Sequence, residues 1–206
     1  GDVLGLVEAR GETYADFATV ITSTPSRGLL EVELDEESGL EFWARNKQGE
    51  DIESPIWSLW QEGTRHHWCW PCRHCSEFFV PRFKQLVYPK NATPTQAKRA
   101  AAVACPHCGG LHHEEDKAWL NARGAMVAPG QRAELVDDQP AVHGAPPEST
   151  TFSVWVSGLC SPFVSFGQRA ETYLTALESG DGDRIQTAMN ASFGELYNMT
   201  AGSDVP

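Results

Sequence analysis

Two pairs of cysteines carry the clearest chemistry in this 206-residue sequence. Cys72 and Cys75 form one Cys-x-x-Cys hook, and Cys105 and Cys108 form a second. Each hook places two thiolates within reach of one metal ion, and two hooks complete the four sulfur ligands of a tetrahedral Zn²⁺ site. Because four thiolates leave no open coordination position, the pattern predicts a structural zinc ion.

Other cysteines and histidines lie near the hooks. Four thiolates need no further ligand, so His74 and His107, inside the hooks, are expected to point away from the metal. The histidines near the hooks are expected to form a solvated, partly cationic surface, and they are His66, His67, His74, His107, His112 and His113. Cys69 and Cys160 are expected to be buried or half-buried thiols.

A redox function is an alternative interpretation of one hook. The run Trp68-Cys69-Trp70-Pro71-Cys72 is similar to a thioredoxin active site, in which a lowered thiol pKa drives disulfide exchange. That interpretation requires a strand before the motif and a helix that begins at the cysteines. It also leaves three cysteines of the two hooks without a role.

The charge is distributed unevenly along the chain. The net charge is −12, but residues 63–113 hold seven basic residues and one acid, a net charge of +6, against −18 elsewhere. A basic segment on an acidic protein favours contact with a polyanion, and an exposed basic face or an acidic protein partner are the alternatives. The candidate DNA contacts are Arg82, Lys84, Lys90, Lys98 and Arg99.

The elements that position these residues follow from local signals. A β-prone run, 18–22, ends in a polar loop with Ser23 and Thr24, stopped by Pro25. Prolines and acids over 129–150 predict a linker or long surface loop. Helices are predicted over 94–104 with Thr95 as N-cap, over 114–123, from a capping box at Ser165 to Leu177 before Gly180, and over 183–192.

The motifs, in their order, resemble the large terminase subunit of lambda-like tailed phages. The segment 1–10 is similar to the one that follows that family's Walker B acids, and Val20–Pro25 is similar to its coupling motif after a strand. Both hooks are similar to its paired Cys-Pro-His-Cys-Gly hooks, although Arg73 replaces a proline. The remaining similar segments are Lys117–Val127, Ser157–Phe163 and Asn190–Glu195.

This resemblance implies an α/β fold, a partial P-loop ATPase-type sheet and helices with an inserted zinc ribbon that has four cysteine ligands. It assigns 1–62 to the C-terminal part of the ATPase core and 63–128 to the zinc-ribbon insertion. Residues 129–150 are then the linker, and 151–206 supply a closing strand and helices. Ser23 and Thr24 take the place of the coupling motif, which senses the γ-phosphate of ATP.

The implied function is a part of the ATP-driven motor and endonuclease that packages and cuts a phage genome. No GxxxxGK[ST] loop and no strand ending in paired acids occurs in these residues, so ATP and Mg²⁺ are expected only in the intact subunit. A first residue other than Met also favours a fragment. The implied partners are double-stranded DNA, the small terminase subunit and the portal, in the cytoplasm of the infected host cell.

The alternative is a stand-alone zinc-ribbon module that binds nucleic acid or a protein partner. A membrane function is not expected, because no run approaches the roughly 20 apolar residues of a membrane helix.

Overall fold

A computed structural model of the chain describes residues 9, 11, 16–28, 31–46 and 52–197. Its strands are β1 (Val32–Leu34), β2 (Glu41–Trp43), β3 (His66–Pro71), β4 (Phe78–Phe79), β5 (Leu86–Val87), β6 (Ala102–Ala104), β7 (Leu111–His112), β8 (Ala125–Val127), β9 (Gln131–Val136), β10 (Gln139–Gly144) and β11 (Val154–Trp155). Its α-helices are α1 (Pro55–Glu62), α2 (Pro94–Ala100), α3 (Lys117–Ala122), α4 (Phe166–Ser179) and α5 (Gly182–Thr187), which continues into a π-helix, Ala188–Phe193.

Several small sheets make this a mixed α/β protein. Strand β3 lies at the centre of one sheet, where it pairs with β4 and β8 in antiparallel and with β11 in parallel orientation. A second sheet has the order β5-β6-β7. Two hairpins, β1–β2 and β9–β10, form separate two-stranded sheets. None of the described helices is long and apolar enough to cross a membrane.

The P-loop-type sheet expected from the resemblance is not found in the described residues, where β3 and β11 are the one parallel strand pair. The strand predicted over 18–22 is also wrong, because this segment has no regular structure. Val20 is 85% exposed there. A β-branched residue favours a strand only when neighbouring strands cover its side chain, and here no described strand does.

Helix α2 has a different N-cap and an earlier end than the sequence predicts. Thr93, and not Thr95, is the N-cap: its hydroxyl accepts a hydrogen bond from the Gln96 N–H (3.3 Å), and the Gln96 side chain accepts one from the Thr93 N–H (2.9 Å). Pro94 then takes the first helical position, where its missing N–H costs nothing. The helix ends at Ala100, because the next residues form β6.

Helix α4 begins as the sequence predicts. Ser165 and Gln168 form the capping box, with N···O distances of 3.1 and 2.9 Å. Gly180 ends the helix in the left-handed conformation, with φ of 63°.

Residues 129–150 contain a hairpin where composition predicts a linker or loop. Strands β9 and β10 pair over six residues each. Asp137 and Asp138, whose residue type favours a loop, form the two-residue turn with φ of 49° and 64°. Positive φ at both positions matches the twist of a tight hairpin, and aspartate tolerates it better than most residues. Ala133 and Leu135 pack against the protein core, so the hairpin is docked on one face.

The hydrophobic core crosses the expected domain boundaries. One cluster packs Trp70 and Phe79, beside the first hook, against Phe166 and Phe193 of the C-terminal helices. Gly167 of α4 touches α2 so closely that a β-carbon there would overlap the Lys98 carbonyl oxygen. The region expected to form the zinc ribbon, 63–128, therefore shares a core with 151–197.

Candidate metal centre

The two hooks lie at the tips of two hairpins. Strands β3 and β4 flank the first hook, and β6 and β7 flank the second. The paired strands of each hairpin hold both cysteines of its hook close together at the turn.

The structure brings the four thiols together. Their sulfur atoms all lie within 4.8 Å of one another. The Sγ atoms of Cys72 and Cys108 are 3.7 Å apart, and those of Cys75 and Cys105 are 3.9 Å apart. Tetrahedral Zn–S bonds of about 2.3 Å require sulfur atoms about 3.8 Å apart. The four cysteines could therefore hold a metal ion such as zinc.

The backbone of each hook turns toward its sulfur atoms. Ser76 and Gly109, directly after the hooks, take the left-handed conformation with φ of 67° and 72°. The N–H of His74 points at the sulfur of Cys72 (3.3 Å), and that of Gly110 at the sulfur of Cys108 (3.4 Å). Such N–H groups stabilise the negative charge of a thiolate ligand.

The thiols differ in how easily they ionise. Burial raises the pKa of Cys72 to about 11. The N–H of Gly110 lowers the pKa of Cys108, the exposed member of the cluster, to about 7. Cys108 is thus the thiol in the group that loses its proton most readily.

The histidines near the hooks take two kinds of position. The rings of His74 and His107 donate to backbone carbonyl groups and not to the cluster. The expectation of a solvated histidine surface is wrong for His66, His67 and His112, which are buried. Alternation along β3 could not have shown this, because residues on both faces of the strand are buried, among them His67 and Trp70.

Buried His67 has a defined tautomer. Its Nδ1 donates to the Arg65 carbonyl (3.0 Å), and its Nε2 accepts from the Trp43 N–H (3.0 Å). Burial holds its pKa well below the usual value, so the ring is neutral and ties β2 to β3.

A thioredoxin-like function disagrees with the geometry. Strand β3 continues through Pro71, so no helix begins at Cys69 or Cys72. Burial raises the pKa of Cys69 to about 12, the opposite of what disulfide exchange requires. Cys69 and Cys160 are both buried thiols, as the sequence suggests.

Arg82 does not lie on a DNA-accessible surface, and its assignment as a DNA contact is wrong. Its side chain is only 2% exposed. The guanidinium group lies 4.4 Å from the ring centre of Trp43 and donates to the carbonyl oxygen and carboxylate of Glu41. The two terminal nitrogens of Arg82 therefore bind Glu41 and do not face solvent.

The other basic candidates remain exposed, but two of them have acidic partners. Lys84 pairs with Glu41, and Lys98 pairs with Glu171 at 2.7 Å. Lys90 and Arg99 are exposed and have no ion pair with any acid that the structure describes. The basic segment therefore uses part of its charge to bind the acidic remainder of the chain.

The Ser23 and Thr24 side chains lie in an exposed loop, anchored just after them at Ser26. The Ser26 carbonyl accepts hydrogen bonds from the side-chain amides of Asn190 (2.8 Å) and Gln186 (3.3 Å). These anchors come from far along the chain, so sequence spacing gives no sign of them.

Glu195 is a buried acid that reasoning from residue types missed. It is 4% exposed, and its Oε1 accepts a hydrogen bond from the Phe83 N–H (2.6 Å). Burial raises its pKa to about 7, although the nearby cations Arg82 and Lys84 oppose the rise.

Replacing Glu195 by glutamine should flatten the pH dependence of stability. Because the folded-state pKa of about 7 lies above the ordinary 4.5, the neutral acid is favoured by folding. Its stabilising contribution is complete below about pH 4.5 and falls by roughly 3 kcal/mol as the pH rises to about 7. Urea unfolding between about pH 5 and pH 8 measures the fall. A Glu195→Gln profile as steep as that of the exposed control Glu178→Gln would contradict it.

Comparison with known protein families gives a match over residues 1–130. A family model described as phage terminase large subunit gpA, ATPase domain, matches residues 1–130. The matched range includes Ser23, Thr24 and both cysteine hooks. Comparison with curated proteins and with solved structures gave no match.

Proposed function

The chain belongs to the phage terminase large subunit gpA ATPase-domain family, and on that premise we propose that it is part of a motor that packages DNA into phage procapsids. The observation that carries the proposal is the family match over more than half of the chain, residues 1–130, with the four-thiol cluster inside the matched range. ATP-driven translocation and endonuclease cutting belong to the intact subunit, which would bind ATP and Mg²⁺. It would work with the small terminase subunit and the portal in the host cytoplasm.

The loop with Ser23 and Thr24 would couple ATP hydrolysis to movement. Both hydroxyl side chains are accessible to a nucleotide, since they lie on an exposed loop. The anchor at Ser26 restrains the base of the loop through Asn190 and Gln186. An exposed tip on a fixed base suits a sensor that responds to the presence of the γ-phosphate.

A packaging assay with the intact subunit tests this function. Thr24→Ala should reduce the DNA packaged per ATP hydrolysed, because it removes the hydroxyl without altering the anchor at Ser26. Thr19→Ala, in the same exposed segment, is the matched control and should package normally. Normal packaging by Thr24→Ala would count against the coupling role, and no ATP-dependent packaging by the unmutated subunit would reject the function itself.

A structural zinc ion would be held by Cys72, Cys75, Cys105 and Cys108. The ion would supply four metal–sulfur bonds that cross-link the two hook hairpins. The hook backbones and the N–H groups directed at sulfur support this ligand set. The same hairpins share their core with the C-terminal helices, which argues against an autonomous zinc-ribbon module.

DNA would be contacted through phosphates by the exposed cations near α2. Lys90 and Arg99 are the strongest candidates, because their charge has no acidic partner in the described part of the chain. Lys84 and Lys98 would have to exchange Glu41 and Glu171 for phosphate. Phosphate contacts carry little sequence preference and weaken steeply with salt.

A salt series tests the DNA contact directly. Lys90→Glu/Arg99→Glu should lower double-stranded DNA affinity and reduce the slope of log K against log salt by roughly two, one unit for each lost phosphate contact. Arg132→Glu/Arg184→Glu makes the same charge change on exposed residues outside the basic segment. If both double variants give the same dependence of DNA affinity on salt, net charge explains the effect. The proposed phosphate contacts of Lys90 and Arg99 are then wrong.

A further inference from the structure

The two cysteine hooks repeat each other position by position. The Cys72 N–H donates to the Glu77 carbonyl, and the Cys105 N–H donates to the Gly110 carbonyl, both at 2.9 Å. The carbonyls of the same two cysteines accept from the residue after each hook, again at 2.9 Å in both. The hooks are therefore two copies of one local structure that face each other across the sulfur cluster.

His74 and His107 occupy the same position in the two copies, directly before the second cysteine. The Nε2 of His74 donates to the Leu111 carbonyl (3.1 Å), on the strand that leaves the second hook. The Nε2 of His107 donates to the Phe78 carbonyl (2.9 Å), on the strand that leaves the first hook. Each histidine thus crosses to the equivalent carbonyl of the opposite hairpin.

Besides these two histidine hydrogen bonds, few described hydrogen bonds or ion pairs hold the two hooks at a fixed distance. Strands β3 and β4 belong to one sheet, and β6 and β7 to another. No strand ladder joins these sheets in the described residues. The two crossing hydrogen bonds are direct polar links between the described hook hairpins, and the ion pair of Arg73, in the first hook, with Asp116, shortly after β7, acts beside them.

The ring of His74 packs closely over the backbone of Gly110. Gly110 lies beneath it, and a β-carbon on that glycine would be 2.7 Å from the ring carbon Cγ, closer than real contacts allow. The centroid of the buried His112 ring lies 5.3 Å from the centroid of the His74 ring. Because Gly110 has no side chain, the His74 ring has room to reach its hydrogen-bonding position.

We propose that His74 and His107 are positioning residues for the metal centre. They act as reciprocal braces that hold the two hooks at the spacing where four sulfur atoms close on one ion. Neither ring is a ligand. This inference rests on the proposed zinc site, and it adds two residues that determine how tightly and how long the site holds its ion.

The test is zinc affinity and release, measured on the full chain by competition with a chromogenic chelator. His74→Leu and His107→Leu should each weaken zinc binding by roughly 10-fold, the usual net contribution of one hydrogen bond, and should speed release. Gln, which can also donate a side-chain N–H, should recover most of the loss at both positions. His143→Leu, an exposed histidine on β10, should behave as the unmutated chain.

Gly110→Ala gives an independent perturbation that keeps both histidines. The added methyl group should displace the His74 ring and weaken zinc binding like His74→Leu. In a His74→Ala background the same methyl group meets no ring, so its effect should be several-fold smaller. This non-additivity would show that the methyl group acts through the His74 ring, because two unrelated losses of stability would add.

The outcomes separate the braces from the zinc site itself. If the unmutated chain binds one zinc and the Leu variants bind and release it equally well, the braces are wrong. If the Gln variants are as weak as the Leu variants, packing and not the hydrogen bond explains the loss, and the proposal also fails. If the unmutated chain binds no zinc, the proposed metal function is what fails. Should the Leu variants not fold, the Gln and Gly110→Ala comparisons decide.

Discussion

Replacing Cys72 by serine is expected to abolish stoichiometric zinc binding and to unfold the region around the hooks. The four sulfur atoms lie within 4.8 Å of one another, so loss of one ligand leaves an open site that the remaining three cannot close. A structural zinc ion contributes on the order of 10 kcal/mol to the folding of its surroundings. Elemental analysis after dialysis and a thermal melt measure the two effects.

A buried cysteine outside the cluster provides the control for this experiment. Cys160→Ala should keep one zinc per chain and should melt only a few degrees lower, because it deletes one buried sulfur atom. A Cys72→Ser chain with full metal content and an unchanged melt would show that the cluster is not a metal site.

Replacing Arg82 by methionine is expected to destabilise the fold by about 1.5–3 kcal/mol, the usual contribution of hydrogen bonds from a charged donor. Burial lowers the pKa of Arg82 to about 10, so the group still carries its charge at neutral pH. The variant leaves the Glu41 carbonyl without this donor and removes one of the two cations that interact electrostatically with buried Glu195. Urea unfolding at about pH 7 measures the loss.

Lys84→Met is the matched control, because Lys84 binds the same Glu41 carboxylate from the surface. Its side chain is 51% exposed, and an exposed pair contributes less than about 1 kcal/mol. Equal losses in the two variants would show that Arg82 is not a buried structural cation. A stable Arg82→Met chain that binds DNA more weakly would instead restore the DNA-contact assignment.

The cluster of four thiols could be predicted from the sequence because its information is local. Two cysteines separated by two residues fix a hook, and a few neighbouring residues fix its turn. The capping box at Ser165 is predictable for the same reason, since Gln168 supplies the partner within one helical turn. The family could be identified from the order of such local motifs.

The positions of the charged residues could not be predicted, because their partners are distant in the sequence. Arg82 looks like the exposed lysines beside it until Glu41, 41 positions earlier, is seen to bind it. The buried carboxylate of Glu195 accepts its hydrogen bond from Phe83, 112 positions earlier. Residue type sets a charge, whereas tertiary contacts decide whether solvent or protein surrounds it.

The wrongly predicted strand over 18–22 and the unpredicted hairpin within 129–150 also depend on contacts that are distant in the sequence. The segment 18–22 has strand-forming residues but no partner strand among the described residues, and it stays irregular. The acidic pair Asp137 and Asp138 favours a loop by composition, although it forms a two-residue turn between paired strands. Composition describes what a segment tolerates, and pairing depends on the rest of the fold.

The core shared by the hooks and the C-terminal helices affects how the chain can fold during synthesis. Trp70 and Phe79 leave the ribosome long before Phe166 and Phe193, the residues that cover them. Until translation reaches those helices, the large aromatic side chains beside the first hook stay exposed to solvent and to chaperones. The hairpins can form from nearby residues, but the core closes only when the C-terminal helices have been made.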